Sequence, residues 1–209
     1  MPGDERQMVL PIWDPSQKSA GVVSPQTQES PEDPEPCFAC AKCGLQANRT
    51  NVVFGEGNPK AKIMFVGEGP GRDEDIQGRP FVGAAGQLLD KILESIGLSR
   101  DEVYITNVVK CRPPKNRMPT PEEVSSCRPY LDAQIKRINP AIIVCLGALA
   151  TKTLIDEKAK ITRMRGTWHK KDGILYMPTF HPAALLRDPA KKRSVWEDMK
   201  KVRAALESL

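Results

Sequence analysis

From Lys62 onward, short apolar runs alternate with segments whose apolar residues recur every three or four positions, which predicts strands and helices in turn. Residues 63–66 are an unbroken apolar run too short for a helix, and read as a buried strand ending in the turn Gly67-Glu68-Gly69-Pro70-Gly71. Leu88, Leu89, Ile92, Leu93 and Ile96 then share one helical face, with Gly97 as a stop signal. Residues 103–108 predict a second strand. Thr120 as N-cap, Pro121 at the first helical position and the acids Glu122 and Glu123 near the positive end of the dipole open a helix running towards Ile138. Residues 141–146 read as a third strand and 147–155 as a short helix. After a Lys/Arg-rich stretch, 174–177 and 178–180 predict one or two further strands, and Asp188-Pro189 opens a final basic helix.

This alternation implies the α/β class, as a three-layer α/β/α sandwich around a mostly parallel four-stranded sheet. In such sheets the active site lies at the carboxyl ends of the strands. Glu68, Asn107, Gly147 and His181 each fall at or just beyond such an end, so these polar candidates are expected along one edge. Residues 1–36 differ from the rest. They hold seven prolines and many Ser, Gln and Glu, with Leu10-Pro11-Ile12-Trp13 as the only apolar patch, too little apolar surface to order a chain. The expectation is a flexible acidic tail over 1–36, whose patch could dock a protein partner, and one folded domain over 37–209. No apolar run approaches the ~18 residues needed to cross a bilayer, and no basic-then-apolar leader is present, so a monomeric cytoplasmic protein without a membrane partner is expected.

Charge sharpens the division. The net charge is +5, but residues 1–36 carry seven acids against two bases, a balance of −5, leaving +10 on the body. Such a surface suits a polyanion such as nucleic acid, and equally suits simple solubility. Six cysteines in a chain without an export signal favour metal ligation over disulfides. Cys40-x2-Cys43 with the distant pair Cys111-x15-Cys127 suits a tetrahedral sulfur site, either zinc or an iron–sulfur cluster. Cys145, inside an apolar strand, reads as a core thiol.

The remaining fragments are individually ambiguous. The glycine turn lacks the lysine and Ser/Thr of a P-loop and the spacing of a dinucleotide fingerprint, so it is a phosphate cradle or only a tight turn. Asp73-Glu74-Asp75 reads as a solvated loop. His181, between a strand and a proline, is rigidly held, for chemistry or for structure. His169, beside Lys170, Lys171 and Asp172, reads as a surface turn. Asn107 either reads a ligand or satisfies loop backbone.

Taken in order, Gly67-Glu68-Gly69-Pro70-Gly71, Gly78-Arg79-Pro80-Phe81-Val82-Gly83, Thr106-Asn107-Val108-Val109-Lys110-Cys111-Arg112-Pro113-Pro114 and Phe180-His181-Pro182 resemble the family-4 uracil-DNA glycosylases. So do Cys40-Ala41-Lys42-Cys43 and the segment 49–59 behind it, and the resemblance spans about 38–206. It implies a [4Fe–4S] cluster on Cys40, Cys43, Cys111 and Cys127, with zinc as the alternative and Cys37 as a spare thiol. The partner implied is uracil-containing DNA, and the activity is hydrolysis of the uracil N-glycosidic bond to an abasic site, initiating base-excision repair. The amide of Asn107 would donate to uracil O4 and accept from N3–H, a pattern cytosine cannot match. Phe81 would stack on the extruded base. Glu74 would fill the space beside C5, and His181 with the Gly69 N–H would stabilise the departing anion at O2. Glu68 would orient water or support the sugar cation. Leu185 or Leu186 would fill the gap in the duplex and Arg187 would contact phosphate. Ala183 and Ala184 depart from the serine and larger residue of many relatives. The rival reading, a non-catalytic iron–sulfur module that binds uracil-DNA or a polymerase, sits poorly with the intact set of Glu68, Phe81, Asn107 and His181.

Overall fold

The computed structural model describes residues 37–209; the acidic tail and its Leu10-Pro11-Ile12-Trp13 patch lie outside them. Strands β1 (Glu56–Gly57), β2 (Ile63–Gly67), β3 (Tyr104–Asn107), β4 (Ile142–Leu146), β5 (His169–Lys171) and β6 (Ile174–Thr179) form one sheet in the order β1-β3-β2-β4-β6-β5. The four middle strands run parallel, and the two edge strands pair antiparallel.

Each central strand feeds both faces of the sheet. Met64, Val66, Ile143 and Cys145 join one apolar core, while Ile63, Phe65, Ile142 and Val144 join the other. The first core is closed by Leu131 and Ile138 of α3 (Pro121–Ile138) and by Ala150 and Leu154 of α4 (Ala148–Leu154). The second is closed by Leu89 and Leu93 of α2 (Ala84–Ser95), Leu185 of α6 (Pro182–Arg187) and Val195, Met199 and Val202 of α7 (Lys191–Glu207). Burial on both faces explains why these strands are continuous apolar runs without alternation.

The helix signals hold at residue level. Thr120 Oγ1 accepts from Glu123 N at 3.3 Å while Glu123 Oε2 accepts from Thr120 N at 2.8 Å, a reciprocal cap with Pro121 behind it. The helix ends at Ile138, where Asn139 turns left-handed. Two short helices, α1 (Arg72–Gln77) and α5 (Ile161–Met164), complete the described α-helices.

Several expectations need correction. The sheet has six strands rather than four, because the two edge strands are two or three polar residues long and leave no apolar run in the sequence. Of the one or two strands expected near 174–180 there is one, Ile174–Thr179, which passes through Pro178; β5 pairs with β6 only as far as Tyr176, so the missing N–H at Pro178 interrupts no strand ladder on that side. Asp73-Glu74-Asp75 lies in α1 rather than in a solvated loop. Asp75 is 2 % exposed, and its carboxylate accepts from the backbone N–H of Thr50 and Asn51. His169 sits on β5 with a buried Nε2, not in a surface turn; the turn is the Asp172-Gly173 pair that follows. Among the described residues, no helix is long and apolar enough to cross a membrane.

Removing the α3 cap should be felt globally, since this helix closes one core. Thr120→Ala is expected to lower unfolding free energy by about 1 kcal/mol in a denaturant titration; an unchanged midpoint would deny the cap its stabilising role.

Candidate active site

A cavity of about 440 Å³ opens at the carboxyl end of the parallel strands, within the size range of small-molecule sites. Glu68 and Gly69 follow β2, Asn107 ends β3, and His181 stands two residues beyond β6; all four line it, with Glu74, Phe81 and Arg187. Gly147 is not in the lining. It packs beneath the imidazole instead, where an added Cβ would come within 3.0 Å of His181 Cβ.

Asn107 is brought to the cavity by register, since it pairs with Gly67 across β2 and β3. A side chain at Gly67 would overlap both Asn107 Oδ1 and the Phe81 ring, so the glycine is required for close approach. Asn107 is 1 % exposed, and its Oδ1 is buried without a hydrogen-bond partner among the described residues. Such an acceptor costs about 1–3 kcal/mol, and in a cavity wall it points to a ligand donor. The backbone carbonyl of Asn107 is fixed by Lys110 Nζ at 2.6 Å, which also donates to Thr106 Oγ1 and Gln134 Oε1, each at 2.6 Å.

Phe81 adopts φ +53°, a left-handed conformation that costs a non-glycine residue roughly 1–2 kcal/mol. Two charged side chains hold it there. Arg100 donates to Pro80 O at 2.6 Å and Phe81 O at 3.0 Å, while Glu74 Oε1 accepts from the N–H of Val82 at 2.9 Å and Gly83 at 2.8 Å. Hydrogen bonds to charged groups contribute about 1.5–3 kcal/mol each, so four of them outweigh the strain. Glu74 Oε2 also accepts from Gly71 N at 3.1 Å. The carboxylate thus ties the glycine turn to the Phe81 loop as well as facing the cavity. Gly86 completes the fit, because a Cβ there would collide with the Phe81 carbonyl.

The Phe81 and His181 rings stack at 5.5 Å between centroids. His181 Nδ1 accepts from Ala183 N at 3.1 Å, which leaves Nε2 as the protonated nitrogen of a neutral ring. Burial, aided by the Arg187 charge and opposed by Glu74, lowers the His181 pKa from 6.5 to about 4. Burial raises the Glu68 carboxyl above its usual range, and Arg187 partly offsets the rise. The site therefore offers a neutral N–H donor beside a carboxylate of strengthened basicity.

Around the rim, Leu186 is 49 % exposed and Arg187 reaches the cavity. Leu185 is corrected: at 1 % exposure it belongs to the core under α6 and has no surface to insert into a duplex.

Cys40, Cys43, Cys111 and Cys127 line a second, small cavity, and none is in a disulfide. Lys110 N donates to Cys127 Sγ at 3.3 Å and Arg49 Nη1 to Cys111 Sγ at 3.4 Å. Arg49 also holds the carbonyls of Cys40 and Phe38. Burial raises both inner thiols, Cys127 to about 11, so they need a metal to become thiolates. Among the described residues no three His, Cys, Asp or Glu side chains form a compact single-ion site. Four cysteines around one cavity, with N–H donors on two of the sulfurs, fit a thiolate-held metal group, the donor chemistry of zinc and iron–sulfur sites alike. Cys145 is fully buried in β4 with its thiol pKa raised further by burial, as a core thiol should be.

Arg49, Arg100 and Lys110 have structural roles that the sequence alone does not assign. Lys110 and Arg49 lie inside recognisable motifs but look like surface bases, while Arg100 sits in a polar Ser99-Arg100-Asp101-Glu102 stretch that reads as a turn.

The sequence model of the uracil DNA glycosylase superfamily matches residues 54–200. The type-4 uracil-DNA glycosylase of Sulfurisphaera tokodaii is 52% identical over 178 residues, covering 81% of each chain. That of Thermotoga maritima is 52% identical over 171 residues, 79% of this chain and 88% of its own, and that of Archaeoglobus fulgidus 49% over 175 residues, 79% and 87%. This chain belongs to the uracil-DNA glycosylase superfamily, in its type-4 branch.

The neutral His181 carries a stability signature. Between pH 6.5 and about 4 the unfolded chain binds a proton there that the folded chain does not, so this residue's contribution is complete above 6.5 and is lost as pH falls through that window. Denaturation midpoints at pH 7 and 4.5 should fall further in the wild type than in His181→Gln; equal falls would mean that the folded imidazole is not held neutral.

Proposed function

We propose that this chain is a monofunctional uracil-DNA glycosylase that hydrolyses the N-glycosidic bond of deoxyuridine in DNA and leaves an abasic site for base-excision repair. The observation that carries the reading is the buried Asn107 Oδ1, an acceptor without a donor among the described residues, in the wall of a cavity that also holds Phe81 and His181. Uracil offers an N3–H to that oxygen, whereas cytosine offers a bare nitrogen and leaves the acceptor unsatisfied. Phe81 supplies a stacking face for a base turned out of the helix.

The leaving uracil takes the electron pair of the glycosidic bond, and negative charge spreads over N1, O2 and O4. His181, neutral with its proton on Nε2, and the Gly69 N–H are the donors for O2. A neutral donor suits this task, because the hydrogen bond strengthens as the anion forms without a proton having to be lost. Positive charge grows on the sugar, where Glu68 is the available carboxylate. Glu68 accepts a hydrogen bond from the water that attacks C1′; the water's hydroxyl stays on the sugar and its proton ends on uracil. Glu74 borders the base through the loop it holds. Leu186, the exposed member of the pair on α6, takes the duplex gap, and Arg187 takes a phosphate.

Cys40, Cys43, Cys111 and Cys127 are the residues that would hold a [4Fe–4S] cluster. When bound it supplies a cross-link between the segment at 40–43, the loop after β3 and α3, together with a redox-active centre. A monomer is the working unit in this reading.

Purified protein should convert uracil-containing oligonucleotide to an alkali-labile product, and absence of product on both duplex and single strand would refute the activity. His181→Ala should slow excision by about 10²–10³-fold, the usual cost of losing one anion donor. Asn107→Asp should weaken uracil excision and narrow its margin over cytosine. Unchanged rates and selectivity in both variants would refute the assignment of the site. The protein should be brown, with broad visible absorption that bleaches on reduction; a colourless zinc-loaded protein would refute the cluster.

A further inference from the structure

Arg100 does not line the cavity, yet all five N–H donors of its guanidinium are used. Two reach the consecutive carbonyls of Pro80 and Phe81, at 2.6 and 3.0 Å. The other three reach Glu56 and Asp90. Glu56 is itself shared with Arg79; burial works to raise its pKa, but the two guanidinium partners hold it below the ordinary range, so it stays a carboxylate. The fork is therefore fixed by two acids on one side and grips two peptide carbonyls on the other.

The gripped peptides flank the strained centre of the loop. Phe81 stands at φ +53°, a conformation that an aromatic residue leaves unless its surroundings over-determine it. Glu74 holds the N–H groups that follow, at Val82 and Gly83, and Arg100 holds the carbonyls at Pro80 and Phe81. Arg100 also stands in the short turn Arg100–Glu102 that leads directly into β3, the strand ending in Asn107. It thus links the residue that stacks on the base to the strand that reads the base edge.

We infer that Arg100 is a positioning residue for base stacking: it holds Phe81 in its left-handed conformation so that the stacking face is formed before a pyrimidine enters. This deepens the uracil-excision reading and rests on it. Arg100 touches no reacting atom and acts through Phe81 alone. Lysine cannot replace it, because an ammonium cannot present a planar fork to two carbonyls and two acids at once.

The test is a double-mutant cycle read on the inhibition constant of free uracil and on the separation of KM from kcat. Arg100→Gln and Arg100→Lys are each made with Phe81 intact and with Phe81→Ala. With Phe81 intact, both should weaken uracil inhibition and raise KM about tenfold, with a smaller effect on kcat; with Phe81→Ala, neither should weaken uracil binding further. Asp90→Asn, which loosens the fork without removing it, should give a smaller change of the same sign that also vanishes with Phe81→Ala. This milder variant carries the test if the Arg100 variants fail to fold. A lower melting temperature with an unchanged inhibition constant would overturn the inference by reducing Arg100 to a fold stabiliser, and equal weakening in both backgrounds would overturn its action through Phe81. A wild-type enzyme that neither excises nor binds uracil overturns the parent reading, and this inference with it, a result distinct from the other two.

Discussion

Lys110 sits at the junction on which both halves of the site depend. Its ammonium, 0 % exposed, donates to Thr106 Oγ1, to the Asn107 carbonyl and to Gln134 Oε1 of α3, each at 2.6 Å. Its backbone N–H meets Cys127 Sγ, and its chain neighbour is Cys111. One side chain therefore fixes the end of β3 against α3, with the Asn107 amide on one side and the cysteine cavity on the other. Gln134 is oriented in turn by Nε2 donating to Phe54 O at 2.8 Å, so the network beneath Asn107 is determined from several elements. A buried polar network of this kind is favourable only when its members are satisfied, and it rigidifies what it holds.

Above that base the cavity concentrates unfavourable local features. Asn107 Oδ1 lacks a partner among the described residues, Phe81 is in a left-handed conformation, and His181 is held neutral by burial. The first two cost stability in the free protein and the third does so as pH falls below 6.5, and each is useful only to a ligand that brings an N–H donor, a flat ring and an oxygen that gains negative charge. Bonds made elsewhere offset these costs: Arg100 and Glu74 on the Phe81 loop, Lys110 under Asn107, the Ala183 N–H on His181. Preorganisation of this sort lowers the reorganisation needed when a base arrives and when charge develops.

Much of this was legible in the chain because it rests on local signals. Apolar runs located the four parallel strands, the Thr120-Pro121-Glu122-Glu123 cap located α3, and strand ends located Glu68, Asn107 and His181. The short edge strands escaped because pairing, not side-chain pattern, makes them strands. Leu185 and Leu186 could not be told apart by composition; helical phase alone decides that the first faces the core and the second the solvent. Asp75 and Lys110 look like surface charges in any one-dimensional reading, and become buried connectors through partners as far as 24 or 25 positions away, Thr50 and Asn51 for Asp75 and Gln134 for Lys110. Arg100 was invisible for the same reason, since its partners lie 10 to 44 residues distant.

The central claim is that Asn107 Oδ1 selects its substrate by accepting one hydrogen from N3 of the pyrimidine. Replacing that hydrogen by a methyl group tests it most directly, by comparing single-turnover excision of uracil and 3-methyluracil from otherwise identical single-stranded oligonucleotides. The account predicts rapid loss of uracil and little or no loss of 3-methyluracil, because the methyl group removes the donor and collides with the amide. Excision of both bases at similar rates would contradict it.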